Sequence, residues 1–227
     1  MKLLKIAPEG YPFIIVSSVA TLLSALAVLY FYKTGVRLTY YYFLIVATLI
    51  SFVTSLFMLY FFRDPERNVP KGEGLYVSPA DGKVVLIHDV YEKDYIKDNV
   101  KEVSIFMSPF NVHVNRAPCD GRVVEVRYSP GKYMAAYKDE ASLKNENIVM
   151  LLEGNQGRVM VRQVAGFIAR RVVCRVKPGD RLNRGERYGI IKFSSRLDVF
   201  LPKNVEIKVK TGDSVKAGES IIAKIKE

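Results

Sequence analysis

Ser194 and Ser195 stand side by side in Lys192-Phe193-Ser194-Ser195-Arg196-Leu197-Asp198-Val199-Phe200-Leu201-Pro202, two hydroxyls in a run that otherwise patterns as a strand. A serine hydroxyl held against its own backbone can attack the preceding carbonyl, so the pair is a candidate for cutting the chain as well as for ordinary nucleophilic work. Upstream, His113 lies in Phe106-Met107-Ser108-Pro109-Phe110-Asn111-Val112-His113-Val114-Asn115-Arg116-Ala117-Pro118, and Asp81 in Ser78-Pro79-Ala80-Asp81-Gly82-Lys83. Ser195, His113 and Asp81 together supply a nucleophile, a base and an orienting carboxylate. An aspartate in a Pro-Ala-Asp-Gly turn has a structural reading too, bonding its own backbone. His88 sits in the strand-like run 84–90 and reads as structural, whereas His113 is flanked by turn and polar residues. No Gly-x-Ser-x-Gly elbow surrounds Ser195, which argues against a hydrolase acting on an external substrate.

The elements that must position these residues are short, β-branched and separated by turns. Candidate strands cover 83–90, 102–107, 121–128, 147–152, 157–164, 170–176, 188–193, 197–201, 205–209 and 220–225, with a helix plausible only around 138–144. The fold expected is therefore mainly β, a barrel or sandwich. One internal echo sharpens this: Val176-Lys177-Pro178-Gly179-Asp180-Arg181-Leu182-Asn183-Arg184-Gly185-Glu186 recurs as Val209-Lys210-Thr211-Gly212-Asp213-Ser214-Val215-Lys216-Ala217-Gly218-Glu219. Each copy brackets one aliphatic with two glycine turns, the way a strand turns, dips one side chain into a core and turns again. Flattened barrels of the biotinyl or lipoyl kind use such paired turns, but no carrier lysine pair of that type is present.

The front of the chain has a different character. Residues 11–32 and 38–62 carry no charge, and each run is long enough to cross about 30 Å of hydrocarbon as a helix. Only 33–37 separate them, so they should form an antiparallel transmembrane hairpin, with Tyr30, Tyr32, Tyr40, Tyr41, Tyr42 and Tyr60 near the interfaces. The organisation expected is an anchor at 1–62, a Pro- and Gly-punctuated linker at 63–75 and a β domain at 76–227. Lys2, Lys5, Arg63, Arg67 and Lys71 outnumber Lys33 and Arg37 of the loop, which places both ends, and the β domain, in the cytoplasm of a cell-membrane protein.

A formal net charge of +11 suits an anionic membrane surface. Nucleic acid is set aside because no recognition module accompanies the charge. Cys119 and Cys174 lack metal-ligand spacing and sit among apolar residues, so both read as buried free thiols and no metal is expected.

The order Ser-Pro-Ala-Asp-Gly-Lys-Val, then 106–118, then the long stretch from Gln163-Val164-Ala165-Gly166 through Arg170-Arg171 to Pro202 resembles the short form of the phosphatidylserine decarboxylase family, including its archaetidylserine-acting members. The resemblance covers about residues 61–227. It implies a proenzyme that cuts itself before Ser195, leaving 1–194 and 195–227, and converts Ser195 into a pyruvoyl group. That ketone would bond the amine of a serine phospholipid and accept the electrons released as CO₂ leaves. It further implies a proton-moving role for His113, an orienting or charge-balancing role for Asp81, and contact of Asn145, Glu146, Arg170 and Arg171 with the head group or its phosphate.

Two departures stand out. Many members carry a second histidine where this chain has Arg116, and the residue before the nucleophile is Ser194 rather than glycine. A Cβ at 194 can slow a backbone rearrangement that glycine permits. The alternative is thus an uncut, catalytically silent membrane-tethered barrel that binds lipid or a partner. Open sheet edges would favour a homo-oligomer.

Overall fold

The computed structural model describes residues 5–35, 38–131, 145–155, 157–166, 171–193 and 195–226. Ser194, Arg170 and the segment 138–144, read above as a helix, lie outside the described residues. The chain divides into two units, Met1–Pro65 and Glu66–Glu227.

In the first unit the two uncharged runs form α1 (Tyr11–Thr34) and α2 (Leu38–Phe61), both long and apolar enough to cross a membrane. Gly35 ends α1 in the left-handed conformation at φ 68°, where the missing Cβ removes the steric penalty. Leu22, Leu26, Leu29, Phe43, Ile50 and Val53 point outward, an apolar surface that suits lipid better than water. Small hydroxyl residues hold the helices together: Thr21 Oγ1 lies 2.9 Å from Ser51 Oγ and 3.3 Å from Ser55 Oγ. Ala7 N–H donates to the Phe62 carbonyl at 2.8 Å and Asp64 N–H to the Lys5 carbonyl at 2.7 Å, so the hairpin's two ends leave side by side.

The second unit is built from strands β1 (Leu75–Val77), β2 (Gly82–Glu92), β3 (Asp98–Met107), β4 (Val114–Arg116), β5 (Gly121–Ser129), β6 (Asn147–Gly154), β7 (Gly157–Ala165), β8 (Val172–Cys174), β9 (Arg181–Leu182), β10 (Arg187–Ile191), β11 (Ser195–Pro202), β12 (Val205–Ile207), β13 (Ser214–Val215) and β14 (Ile221–Ile225). They make a curled eight-stranded antiparallel sheet, ordered β13-β2-β3-β11-β7-β6-β5-β9, and two three-stranded sheets, β1-β14-β12 and β4-β10-β8. The mainly β expectation holds.

Alternation sets the faces. Leu197, Val199 and Leu201 of β11, Val103, Ile105 and Met107 of β3, and Val159, Val161 and Ala165 of β7 all enter one large core that also takes Ile191 and Tyr188 of β10. Ser195 begins the inward row of β11, and Gln163 interrupts the inward row of β7 with an amide.

The echoed turns fold alike. Gly179 and Gly212 both have φ 101°, Gly185 and Gly218 have φ 79° and 76°, and the bracketed aliphatics Leu182 and Val215 are buried. Their strands, β9 and β13, form the two edges of the large sheet. A second echo travels with them: Ser78-Pro79-Ala80-Asp81-Gly82-Lys83-Val84 and Ala117-Pro118-Cys119-Asp120-Gly121-Arg122-Val123. Val84 N–H donates to Asp213 O and Val123 N–H to Asp180 O, while Gly218 N–H donates to Ser78 O and Gly185 N–H to Ala117 O. The unit therefore contains two copies of one strand-and-turn motif. β13 and β9 cover only Gly82–Lys83 of β2 and Gly121–Arg122 of β5, so among the described residues the rest of those two strands has no strand partner on its outer side, and the sheet-edge argument for self-association stands as an expectation.

The segment read as a linker is fixed to the β unit from Glu66 onward. Arg67 pairs with Asp81 and Glu219, Arg187 with Glu66, and Arg184 donates to the carbonyls of Pro70, Gly72 and Leu75 at 2.8, 2.9 and 3.1 Å. Charged side chains of this segment and of the repeated turns are its fasteners.

Candidate functional site

Ser195 is the first residue of β11, the strand flanked by β3 and β7, and it pairs with Met107 on one side and Ala165 on the other. It is fully buried, and its Oγ donates to the thioether Sδ of Met107 at 3.3 Å. Sulfur is a weak acceptor, so the hydroxyl is held loosely. Two residues earlier Phe193 takes φ 57°, a left-handed conformation that costs a non-glycine residue about 1–2 kcal/mol. The backbone is thus strained immediately upstream of a buried hydroxyl.

The same sulfur is approached from the facing sheet. Asn115, on β4, directs Nδ2 to Met107 Sδ at 3.9 Å and takes a bond on its Oδ1 from Gln163 Nε2 at 2.8 Å. Gln163 Nε2 also lies 3.4 Å from the Val173 carbonyl, which can only accept, and this fixes which end of the Gln163 amide is nitrogen. Gly189 of β10 makes room for the arrangement: a Cβ there would stand 2.3 Å from Val173 O and 3.0 Å from Gln163 Nε2. Asn115 and Gln163 fell inside stretches the sequence singled out, yet neither drew notice. The usable signal was an amide at an inward position of an otherwise apolar alternating row.

His113 is fully buried at the head of β4. Its Nδ1 is 3.0 Å from the Asn111 carbonyl, so Nδ1 carries the proton and Nε2 is the basic nitrogen of the neutral ring. Its own carbonyl accepts from Ile191 N–H at 3.3 Å, and the loop from Met107 to His113 and the chain from Ile191 to Ser195 leave the same end of the structure. Asn145 and Glu146 border Ser195 through Ala165. Asn145 Nδ2 donates to Ala165 O at 2.7 Å, and Ala165 N–H donates to Glu146 O at 2.9 Å. Arg171 accepts from Lys192 N–H at 3.2 Å through its carbonyl, leaving its side chain exposed.

Asp81 does not take the orienting place expected of it. Its carboxylate accepts from Arg67 Nη2 at 2.9 and 2.8 Å and from Ala217 N–H at 2.8 Å, while the ring of His113 is oriented by Asn111. The reason is the internal duplication. Asp120 accepts from Arg184 N–H at 2.7 Å in the equivalent place of the other copy, so both aspartates tie a strand start to a repeated turn. Arg116, at the position of the missing second histidine, is buried and donates from Nη1 to the Gly185 carbonyl at 2.9 Å.

On the outer face of β11 a buried ionic cluster anchors the residues that follow Ser195. Arg196 Nε donates to Asp198 Oδ1 at 2.6 Å and its Nη2 to Ser104 Oγ at 2.8 Å, with Glu102 Oε1 3.6 Å away. His88 Nε2 lies 3.1 Å from the other oxygen of Glu102. Burial pushes the Glu102 carboxyl above the usual range, the neighbouring Asp198 adds to this, and His88 and Arg196 oppose it. His88 is therefore tied to this structural cluster, as its sequence setting suggested. Pairing with β3 and β7 and this cluster behind it hold β11 in register by non-covalent contacts, in addition to the peptide bond that enters residue 195.

The family model for phosphatidylserine decarboxylase matches residues 54–223. Curated relatives called phosphatidylserine decarboxylase proenzyme include one from Syntrophus aciditrophicus, 44% identical over 216 residues and 95% of each chain. Another, from Geotalea uraniireducens, is 44% identical over 223 residues, 96% of this chain and 95% of the relative. A third, from Amoebophilus asiaticus, is 49% identical over 164 residues, 72% of this chain and 73% of its own.

Proposed function

The chain belongs to the phosphatidylserine decarboxylase family of phospholipid carboxy-lyases, and from that premise we propose that it removes CO₂ from the serine head group of phosphatidylserine, or of its archaeol counterpart archaetidylserine, using a pyruvoyl ketone made from Ser195. The observation that carries this reading is the placing of Ser195: a fully buried hydroxyl opening the central strand, with strained backbone just ahead of it.

In maturation the Ser195 Oγ attacks the carbonyl carbon of Ser194, and the peptide C–N bond breaks as an ester forms. Loss of the Ser195 α-proton expels the Ser194 carboxylate from Cβ. Water then hydrolyses the remaining dehydroalanine, releasing ammonia and leaving a ketone at the head of the 195–227 fragment. His113 Nε2 is the base that accepts the hydroxyl proton, since Nδ1 is committed to Asn111.

The surrounding residues fit such a group. It has no more heavy atoms than the serine it replaces, and strand pairing on both sides together with the Arg196 anchor would hold it after the cut. When present, the ketone supplies an electrophile for the head-group amine and a sink for the electrons freed with CO₂. His113 Nε2 returns a proton to the substrate carbon that has lost CO₂. Asn145, Glu146, Arg170 and Arg171 are the residues assigned to contact with the head group and its phosphate, the two arginines by their charge. Met107, Ala165 and the core beneath exclude water from the reacting face.

The two apolar helices fix the enzyme to the membrane that carries its substrate, with the β unit on the cytoplasmic side and the chain's excess of cations favouring anionic lipid. Self-association of the full chain, read by light scattering in detergent, belongs to the same proposal. The test of the function is the intact mass of the purified full-length chain. Two fragments, 1–194 and a 195–227 piece lighter than its encoded sequence by the conversion of serine to pyruvoyl, are expected alongside CO₂ release from phosphatidylserine vesicles. Release of CO₂ by a chain that stays whole would overturn it.

A further inference from the structure

We propose that Asn115 holds the oxygen of the ketone at position 195, and that Gln163 is the positioning residue that aims it. This rests on the proposed function above and concerns residues that reading does not use.

The argument begins with the ladder. In an antiparallel pair, facing residues either exchange both backbone bonds or exchange neither, and the two kinds alternate. Ala165 spends its N–H on Glu146 O and its carbonyl on Asn145 Nδ2, both on the side away from β11. Ala165 and Ser195 are therefore the unbonded kind, and the N–H and C=O of Ser195 face Met107. When serine becomes a ketone, the backbone nitrogen is lost and an oxygen takes its place on Cα. Left where the N–H was, that oxygen would meet the Met107 carbonyl, acceptor against acceptor. Half a turn about the Cα–C bond exchanges it with the methyl and turns it to the inner face.

A donor waits on that face. Asn115 Nδ2 is directed to Met107 Sδ, the same atom that receives the Ser195 hydroxyl, and a thioether scarcely occupies an amide donor. Asn115 cannot offer its oxygen instead, because Gln163 Nε2 holds Oδ1 and is itself fixed by the Val173 carbonyl. Asn115 and Gln163 are both buried, so the aim of Nδ2 is set before any substrate arrives. In the uncut chain the inner face holds a hydroxyl donor and an amide donor converging on sulfur. After maturation the hydroxyl has gone and the amide has an oxygen to bind. The same donor meets the charge that gathers on that oxygen as the head-group amine adds.

The test uses full-length protein in detergent grown on [2-¹³C]serine, which labels the ketone carbon. Infrared difference against unlabelled protein isolates its stretching band. The parent enzyme is expected to show the band below its position after denaturation in aprotic solvent, and Asn115→Leu to shift it up. kcat is expected to fall about 100-fold with KM within about threefold. Asn115→Asp, which keeps the shape and an oxygen for Gln163 but loses the donor, covers the case in which leucine is not accommodated. Gln163→Leu should shift the band less than Asn115→Leu, and the double variant should add nothing to Asn115→Leu, whereas a purely structural role would add. An unshifted band in folded, matured Asn115 variants overturns the assignment. So do Asn115 variants that fold and never mature, because they move the residue into the cutting step. A parent chain without a ketone band removes the proposed function together with this inference; a parent band that ignores Asn115 removes the inference alone.

Discussion

Nη2 of Arg67 lies 2.9 and 2.8 Å from the two carboxylate oxygens of Asp81, and both side chains are about nine-tenths buried. The pair joins the chain leaving the membrane unit to the start of β2, and Ala217 N–H completes it from the repeated turn. Among the described residues Asp120 makes only the turn bond in its own copy of the motif. Asp81→Ala takes the two-oxygen contact from a buried Arg67 guanidinium and leaves it only Glu219 at 3.5 Å, so it should cost about 3 kcal/mol, against about 1 kcal/mol for Asp120→Ala. Urea unfolding of the two full-length variants in detergent measures both. Equal losses would mean that the Arg67 pair contributes nothing beyond the turn bond.

The fate of Asp81 shows where sequence reading stops. The hairpin helices, the longer strands and the echoed glycine turns were legible because each is written locally, in uninterrupted apolar runs, β-branched alternation and positions that need φ above zero. Strands β1, β4, β9 and β13 were missed. They are two or three residues long, and their pairing is dictated by distant partners such as Lys224 for Leu75 or Gly82 for Val215. The Asp81 partner came from a segment whose prolines and charges read as linker. Ser195 and His113 were legible as chemistry-bearing types, but the tautomer of His113 and the aim of Asn115 depend on carbonyls at Asn111 and Val173 that no residue pattern reveals.

Ser194 should limit how fast the chain matures. Glycine at that position adopts the strained backbone of an acyl shift without a Cβ in the way, so Ser194→Gly is expected to speed cutting roughly tenfold, the equivalent of about 1.4 kcal/mol off the barrier. Ser195→Ala removes the nucleophile and should leave only the intact chain. The time course of the 195–227 fragment by mass spectrometry reads both. Equal rates for serine and glycine at 194 would show that the backbone there is not what limits the reaction.

Gly189 offers a test of the inner face that leaves every polar group in place. Alanine would put a Cβ 2.3 Å from the Val173 carbonyl and 3.0 Å from Gln163 Nε2, so β8 or the Gln163 amide must move. The expected loss is about 1–3 kcal/mol of stability, as for other overpacked interiors. The bond from Gln163 to Asn115 should weaken with it. Thermal unfolding gives the first quantity and the turnover of the matured fraction the second; a variant that loses stability yet turns over at the parent rate would dissociate the two.

The cluster behind β11 should make stability depend on pH through Glu102. Its carboxyl is raised in the folded chain, chiefly by burial and then by Asp198, so the folded chain binds that proton more tightly than the unfolded one. Stabilisation from this group is accordingly complete below the ordinary glutamate range of about 4.3 and is lost as pH climbs through the raised value. Glu102→Gln cannot ionise and should flatten that part of the profile while keeping a bond from Ser104 Oγ in reach. Asp198→Asn removes the like charge and should move the loss to lower pH, at the cost of weakening the 2.6 Å bond to Arg196. Melting temperatures of the three proteins from about pH 4 to pH 8 decide the matter, since parallel curves for the parent and Glu102→Gln would show that Glu102 titrates alike in both states.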